Sequence, residues 1–180
     1  MTLLSHDELV RLADEGVIEN VQPGAINAAS IDIHLGECLM IEPTTPRHET
    51  VIDYSKRESL KWYPVKSFSM WDMAPGDFLL AQSVEVFNLP NNISAEYKLK
   101  SSMARIGLEH MNAGWCDAGW NGSVLTLELK NMLQHHTIRI RPGDAIGQMI
   151  FFRHEPVGDE ASYAQRGRYN NDKTVSGIKL

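Results

Sequence analysis

Three clusters between Leu99 and Asn131 bring together residue types that can do chemistry. The first is Lys100-Ser101-Ser102, with Arg105 three residues further on. Two hydroxyls and a guanidinium fork are groups that hold a phosphate. The stretch "SSMARIG" is too short for a full helix but suits one helical turn, capped by Ser101 or Ser102 and ended by Gly107. The free N–H groups of such a turn also suit an anion. Spacing alone leaves two readings, a phosphate cradle or a capped turn with solvated basic side chains, and the second is the commoner pattern. The second cluster is Asp117 in the loop "DAGWNG". An aspartate there satisfies turn amides, or accepts a sugar hydroxyl, or acts as a base, and the turn role is the usual one.

The third cluster is Glu128 among leucines. In "VLTLEL" a strand places Leu125, Leu127 and Leu129 on one face and Val124, Thr126 and Glu128 on the other. If the second face is open, Glu128 is an ordinary solvated carboxylate. If that face lines a closed pocket, Glu128 is desolvated and its pKa rises, which is the setting for a general acid or base.

The elements that must position these residues are mostly strands. The chain starts with a short helix: Ser5 and Glu8 make a capping-box pattern, Leu4 and Leu9 can staple it, and Gly16 ends it. "SIDIHLG" then alternates Ile31, Ile33 and Leu35 against Ser30, Asp32 and His34. "DFLLAQSVEVF" and "AEYKLK" follow, divided by a turn at Pro90 to Asn92. "SVLTLEL", "TIRI" and "AIGQMIFF" come later, the last two joined by the turn Arg-Pro-Gly-Asp at 141–144. Many short strands with turn signals between them predict a barrel or sandwich. From about residue 160 the chain is polar and weakly periodic, which predicts a mobile tail.

Composition narrows the function. A chain of 180 residues fits one domain, and 43% apolar residues supply an ordinary core. The net charge of −6 argues against a general nucleic-acid binder. A small anionic ligand stays open, since a few local cations suffice. Cys38 and Cys116 form no CxxC pair. No signal-peptide pattern opens the chain and no apolar run approaches ~18 residues, so the expected location is cytoplasmic, away from membranes.

These motifs, in this order, resemble the dCTP deaminase branch of the trimeric dUTPase-like superfamily. The resemblance rests on Lys100 to Leu108, Asp117 to Gly122 and Thr126 to Asn131. "AASIDIHLG", "MAPGDFLLAQSVEVFNLP" and "IRPGDAIGQMIF" extend it over nearly the whole chain. It implies a mainly β, distorted β-barrel subunit with a short N-terminal helix and a flexible C-terminal lid from about 160 to 180. That subunit would form a homotrimer with sites between subunits. The implied activity is zinc-independent deamination of dCTP, or a related deoxynucleoside triphosphate, to dUTP and ammonia. Mg²⁺ would be carried by the triphosphate. By the same resemblance Ser101, Ser102 and Arg105 would hold phosphates and position the catalytic water, with Lys100 beside them. Asp117 would accept the sugar 3′-hydroxyl and the backbone near Ala113 would read the base edge. Glu128 would activate water for attack on C4 of cytosine. Gln148 would support the triphosphate, and Tyr163 and Arg168 would close over it.

The sequence offers no rival zinc chemistry of the usual kind. Zinc nucleobase deaminases use His-x-Glu with a later Pro-Cys-x-x-Cys, whereas His6-Asp7-Glu8 here sits in a capping box with no cysteine pair to follow. The alternatives are a dUTP diphosphatase, a bifunctional enzyme that carries dCTP to dUMP, or a nucleotide-binding regulator with little catalysis. The tail "RGRYNNDKTVSG" lacks the glycine-rich, phenylalanine-bearing motif of dUTP diphosphatases. Three departures from the family pattern matter. Lys100 replaces an arginine, so a bidentate phosphate contact becomes a point charge. Ala118 replaces a proline. One extra residue separates Trp120 from Glu128, which flips Glu128 out of the pocket unless a β-bulge near Ser123 to Leu125 restores it.

Overall fold

The computed structural model describes residues 1–43, 51–56 and 60–179. Strand β1 (Thr2–Leu3) leads into α1 (His6–Asp14), where the Glu8 carboxylate accepts the Ser5 N–H at 3.3 Å and Leu4 and Leu9 are fully buried. The remaining strands run β2 (Ile18–Glu19), β3 (Ile31–Ile41), β4 (Tyr63–Val65), β5 (Trp71–Met73), β6 (Phe78–Asn88) and β7 (Ile93–Leu99). After the short helix α2 (Ser101–Arg105) come β8 (Leu108–Glu109), β9 (Trp115–Cys116), β10 (Asn121–Asn131), β11 (Ile138–Ile140) and β12 (Ala145–Arg153). A last turn of helix, α3 (Tyr163–Arg166), lies in the tail.

The main sheet runs β8-β10-β6-β3-β12-β7-β9 and curls into a half-barrel, with β11 and β5 as a separate pair. Alternation dictates its inner face. Ile31, Ile33 and Leu35 are fully buried while Asp32 and His34 are half-buried, and Leu125, Leu127 and Leu129 are buried while Thr126 and Glu128 are not. Each side chain turned inward removes apolar surface from water, and this drives the sheet to close on itself.

The β6–β10 ladder is irregular in two places. Asn121 faces Asn88 but Ser123 faces Phe87, and Val124 faces Val86 but Thr126 faces Gln82. The first step leaves one extra residue on β10, at Gly122, whose φ of 67° is the left-handed geometry that a bulge glycine adopts. The second leaves extra residues on β6. The Leu125 N–H that loses its ladder partner there donates instead to the buried Ser83 hydroxyl at 2.8 Å, which itself donates to the Glu85 carbonyl at 2.7 Å. These irregularities flank Ser123 to Leu125, the stretch where the sequence count required a bulge.

The turn after β7 differs from the sequence expectation in its cap. Lys100, extended at φ −65° and ψ 138°, is the N-cap residue of α2, and neither Ser101 nor Ser102 caps it. Lys100 donates its own N–H to the Ile146 carbonyl, so the chain leaves the sheet one residue earlier and both serines fall inside the first turn. The tail also has an apolar anchor that its composition hid. Val175 is 3% exposed, and Val175 N–H donates to the Gln82 side chain at 3.0 Å. Val124 N–H donates to the Asp172 carbonyl, and Asn171 N–H to that of Asn121. The tail is thus stitched along the start of β10.

One close approach inside the sheet is testable. A Cβ built on Gly147 would meet the Tyr97 ring at 2.1 Å, and Tyr97 is 3% exposed and packed edge-on against His110. Gly147→Ala should therefore lose about 1–3 kcal/mol in urea unfolding, the scale of overpacking a core. Gly158→Ala, where the added Cβ meets nothing within 4 Å, should stay within about 0.5 kcal/mol of wild type. Equal stability for all three proteins would contradict the packing described.

Candidate active site

A cavity of about 550 Å³ opens between β10, β9, the tail and the segment before β4. That size suits a nucleoside-sized ligand. Its apolar wall is Leu60, Trp62, Leu80 and Val124, and its polar groups include Asp117, Thr126, Glu128 and Asp172. Ala113 and Tyr163 also line it. Four of the residues singled out from the sequence, Ala113, Asp117, Glu128 and Tyr163, therefore meet in one place.

Six others do not. Lys100, Ser101, Ser102, Arg105, Gln148 and Arg168 lie outside the cavity wall. Ser101, Ser102 and Arg105 are exposed on α2. Gln148 on β12 faces Asp32 on one side and Lys98 on the other. Lys100 pairs with Asp32 at 2.5 Å, and Asn27 donates to the same carboxylate at 2.9 Å. Lys100, Ser101, Ser102 and Arg105 thus follow directly on β7, and Gln148 sits on the neighbouring β12 opposite Lys98, in the interior of the sheet. Arg168 is exposed and donates to the Lys179 carbonyl at 3.2 Å.

Glu128 is the chemically unusual member. Burial pushes its carboxyl up from an ordinary 4.5 to about 6, and its own backbone amide offsets only part of that. No basic side chain pairs with it among the described residues. Asp117 is exposed, and its Oδ1 accepts the Trp115 indole N–H at 2.9 Å. Cys116 between them points inward. Burial first, then the negative charges of Asp117 and Glu128, push its thiol up to about 12, so it is no nucleophile at neutral pH. Among the described residues no three His, Cys, Asp or Glu side chains group as a metal-ligand set, and no helix is long and apolar enough to cross a membrane.

Several lining residues escaped the sequence reading. Trp115 on β9 and Trp120 just before β10 bracket Asp117, and alternation from β9 could have placed Trp115 beside it. Trp62, Tyr169 and Asp172 reach the cavity through long-range packing, for which local spacing carries no signal.

A family model for dCTP deaminase-like proteins matches residues 3–154. A protein of Methanosphaerula palustris named "dCTP deaminase, dUMP-forming" is 32% identical over 88% of this chain and 84% of its own. One of Nanoarchaeum equitans with the same name is 34% identical over 99% and 97%. In structure, the chain resembles the 2′-deoxycytidine 5′-triphosphate deaminase of Agrobacterium tumefaciens, with a TM-score of 0.66 and 19% identity over 84% of this chain. It spans about half of that longer chain, 48%. The dUTPase of Streptococcus mutans aligns over 76% of this chain and 87% of its own, with a TM-score of 0.50 and 14% identity. These two likenesses establish the dUTPase-like fold.

The raised Glu128 pKa carries a stability signature. Between 4.5 and about 6 the folded chain holds a proton that the unfolded chain has lost, so this group's contribution to stability falls as pH rises through that window. Glu128→Gln removes the titration. The variant should gain about 1–2 kcal/mol relative to wild type on going from pH 4.5 to pH 8, from about 1.4 kcal/mol per pKa unit. Urea unfolding of both proteins across that range checks it, and a difference that stays constant with pH contradicts the burial of an unpaired carboxylate.

Proposed function

This chain belongs to the dCTP deaminase-like family, and we propose that it deaminates dCTP and carries the product on to dUMP. The observation that carries the reading is Glu128, a half-buried, unpaired carboxylate with a pKa of about 6 facing a nucleoside-sized cavity. The sequence motifs implied dUTP as product. The names of the relatives in Methanosphaerula and Nanoarchaeum favour dUMP, and the bifunctional form is the one proposed.

In this reading the cytosine enters the cavity with C4 toward Glu128. The carboxylate takes a proton from water as the water oxygen bonds to C4, and passes it to N3. It then moves the remaining hydroxyl proton to the exocyclic nitrogen, the C4–N bond breaks, and ammonia leaves a C4 carbonyl. A carboxyl with a pKa near 6 both accepts and returns a proton near neutral pH. Asp117 accepts the 3′-hydroxyl, the backbone near Ala113 reads the base edge, and a second water cleaves the α–β phosphate bond to give dUMP and pyrophosphate.

The triphosphate falls to Lys100, Ser101, Ser102, Arg105 and Gln148. Hydroxyls, an ammonium and a guanidinium fork suit phosphate oxygens. Mg²⁺ would come with the triphosphate substrate and would neutralise part of its charge, as its preference for phosphate oxygens suggests. Because this group stands apart from the cavity, the reading requires a second copy to present it, within a homotrimer. Tyr163 at the cavity wall and Arg168 belong to a tail that opens to admit the nucleotide and closes on it. A cytoplasmic location follows from the nucleotide substrate.

With Mg²⁺ and dCTP the protein should release ammonia and pyrophosphate in equal amounts and yield dUMP. Glu128→Gln should lower ammonia release by ~10²-fold or more, the scale of a lost general base, with KM within a few-fold of wild type. Accumulating dUTP without pyrophosphate would reduce the activity to deamination alone, and absence of ammonia from the wild type would sink the reading.

A further inference from the structure

The indole of Trp115 does two things at the cavity mouth. It is 57% exposed, an unusual state for a tryptophan, and its Nε1–H donates to Asp117 Oδ1 at 2.9 Å. The strand period explains the contact. On β9 the buried Cys116 points into the core, so Trp115 and Asp117, two residues apart, project on the same outer side. The ring cannot swing freely either, since it stacks on Phe152 of β12 with centroids 6.3 Å apart and planes 27° off parallel. Pairing of Trp115 with Glu96 anchors the backbone below. Asp117 Oδ2 has no partner among the described residues.

We infer that Trp115 is a positioning residue that sets how strictly the site reads the sugar 3′-hydroxyl. The inference rests on the proposed role of Asp117. A carboxylate on a loop rotates about two side-chain bonds and is solvated on both oxygens. An indole N–H held by a stacked ring fixes one oxygen, which turns the other toward the cavity before the nucleotide arrives. Ordering the carboxylate in advance lowers the entropy lost when the hydroxyl binds. An indole has one donor and no acceptor, so it fixes Oδ1 without competing for Oδ2. The neighbouring Trp120 takes no part in this, because its Nε1–H is spent on the Tyr169 carbonyl at 2.9 Å. The gain applies only to a ligand that offers a 3′-hydroxyl.

The test is calorimetry with dCTP and 2′,3′-dideoxy-CTP, both with Mg²⁺. It is done on a Glu128→Gln background so that deamination does not consume the ligand. Trp115→Phe keeps the stack on Phe152 and removes the donor. The preference for dCTP over the dideoxy nucleotide should fall about 5–10-fold, the scale of one ordinary net hydrogen bond, since Trp115 acts only through Asp117. Dideoxy-CTP affinity should stay nearly unchanged. Asp117→Asn should also lower the preference, and Trp115→Phe added to it should lower it little further. A preference equal to the background's, or an equal loss for both nucleotides, overturns the role of Trp115. Failure of the Glu128→Gln background to bind dCTP at all would overturn the functional reading beneath it, a result distinct from an unchanged preference.

Discussion

The site depends on a defect in a β-ladder. A regular pairing of β10 with β6 alternates its side chains without interruption, and one extra residue would put Glu128 on the wrong face. The bulge at Gly122 shifts that alternation along β10 by one residue, and the irregularity at Ser83 to Glu85 lies opposite Leu125. Such a break exposes backbone amides inside a protein, at a cost of about 1–3 kcal/mol for each one left unpaired. The Ser83 hydroxyl accepts the orphaned Leu125 N–H, and the tail accepts that of Val124 through the Asp172 carbonyl. The tail therefore closes a gap in the sheet as well as a wall of the cavity.

Two buried glutamates sit near this break and are treated in opposite ways. Glu85 is wholly buried, yet it accepts the His34 backbone N–H at 3.0 Å and pairs with His34 Nδ1 at 2.8 Å. Burial raises its pKa and His34 works against that rise. Glu128 is less buried but lacks any such partner, and its pKa stays raised to about 6. Paired carboxylates hold structure in place, while an unpaired one keeps its proton transferable. The contrast separates a paired acid from an unpaired one within the same sheet.

Much of this was legible in the chain. Period-two alternation marked the strands at Ile31 to Leu35 and at Leu125 to Leu129, and the order of the motifs marked the family. The residue count between Trp120 and Glu128 even pointed to the bulge. The cap of α2 was not legible, because Lys100 takes that position through a long-range bond to Ile146. Nor was the anchoring of the tail at Val175, whose partner Gln82 lies far away in sequence. Trp62 and Asp172 belong to the cavity for the same reason: contacts distant along the chain leave no local pattern. The position of Lys100 to Arg105 and of Gln148 outside the cavity wall likewise follows from where β7 and β12 run in the sheet, which strand patterns alone do not reveal.

In the proposed function one chain holds the carboxylate and a second copy brings the cations. Chains carrying Glu128→Gln and chains carrying Arg105→Ala should each be inactive alone. Unfolded together in equal amounts and refolded, they should regain about a quarter of wild-type ammonia release. That is the fraction of shared sites in a random cyclic assembly that draws an intact Glu128 from one chain and an intact Arg105 from its neighbour. Mixed oligomers that stay as inactive as their parents would contradict a site built between subunits.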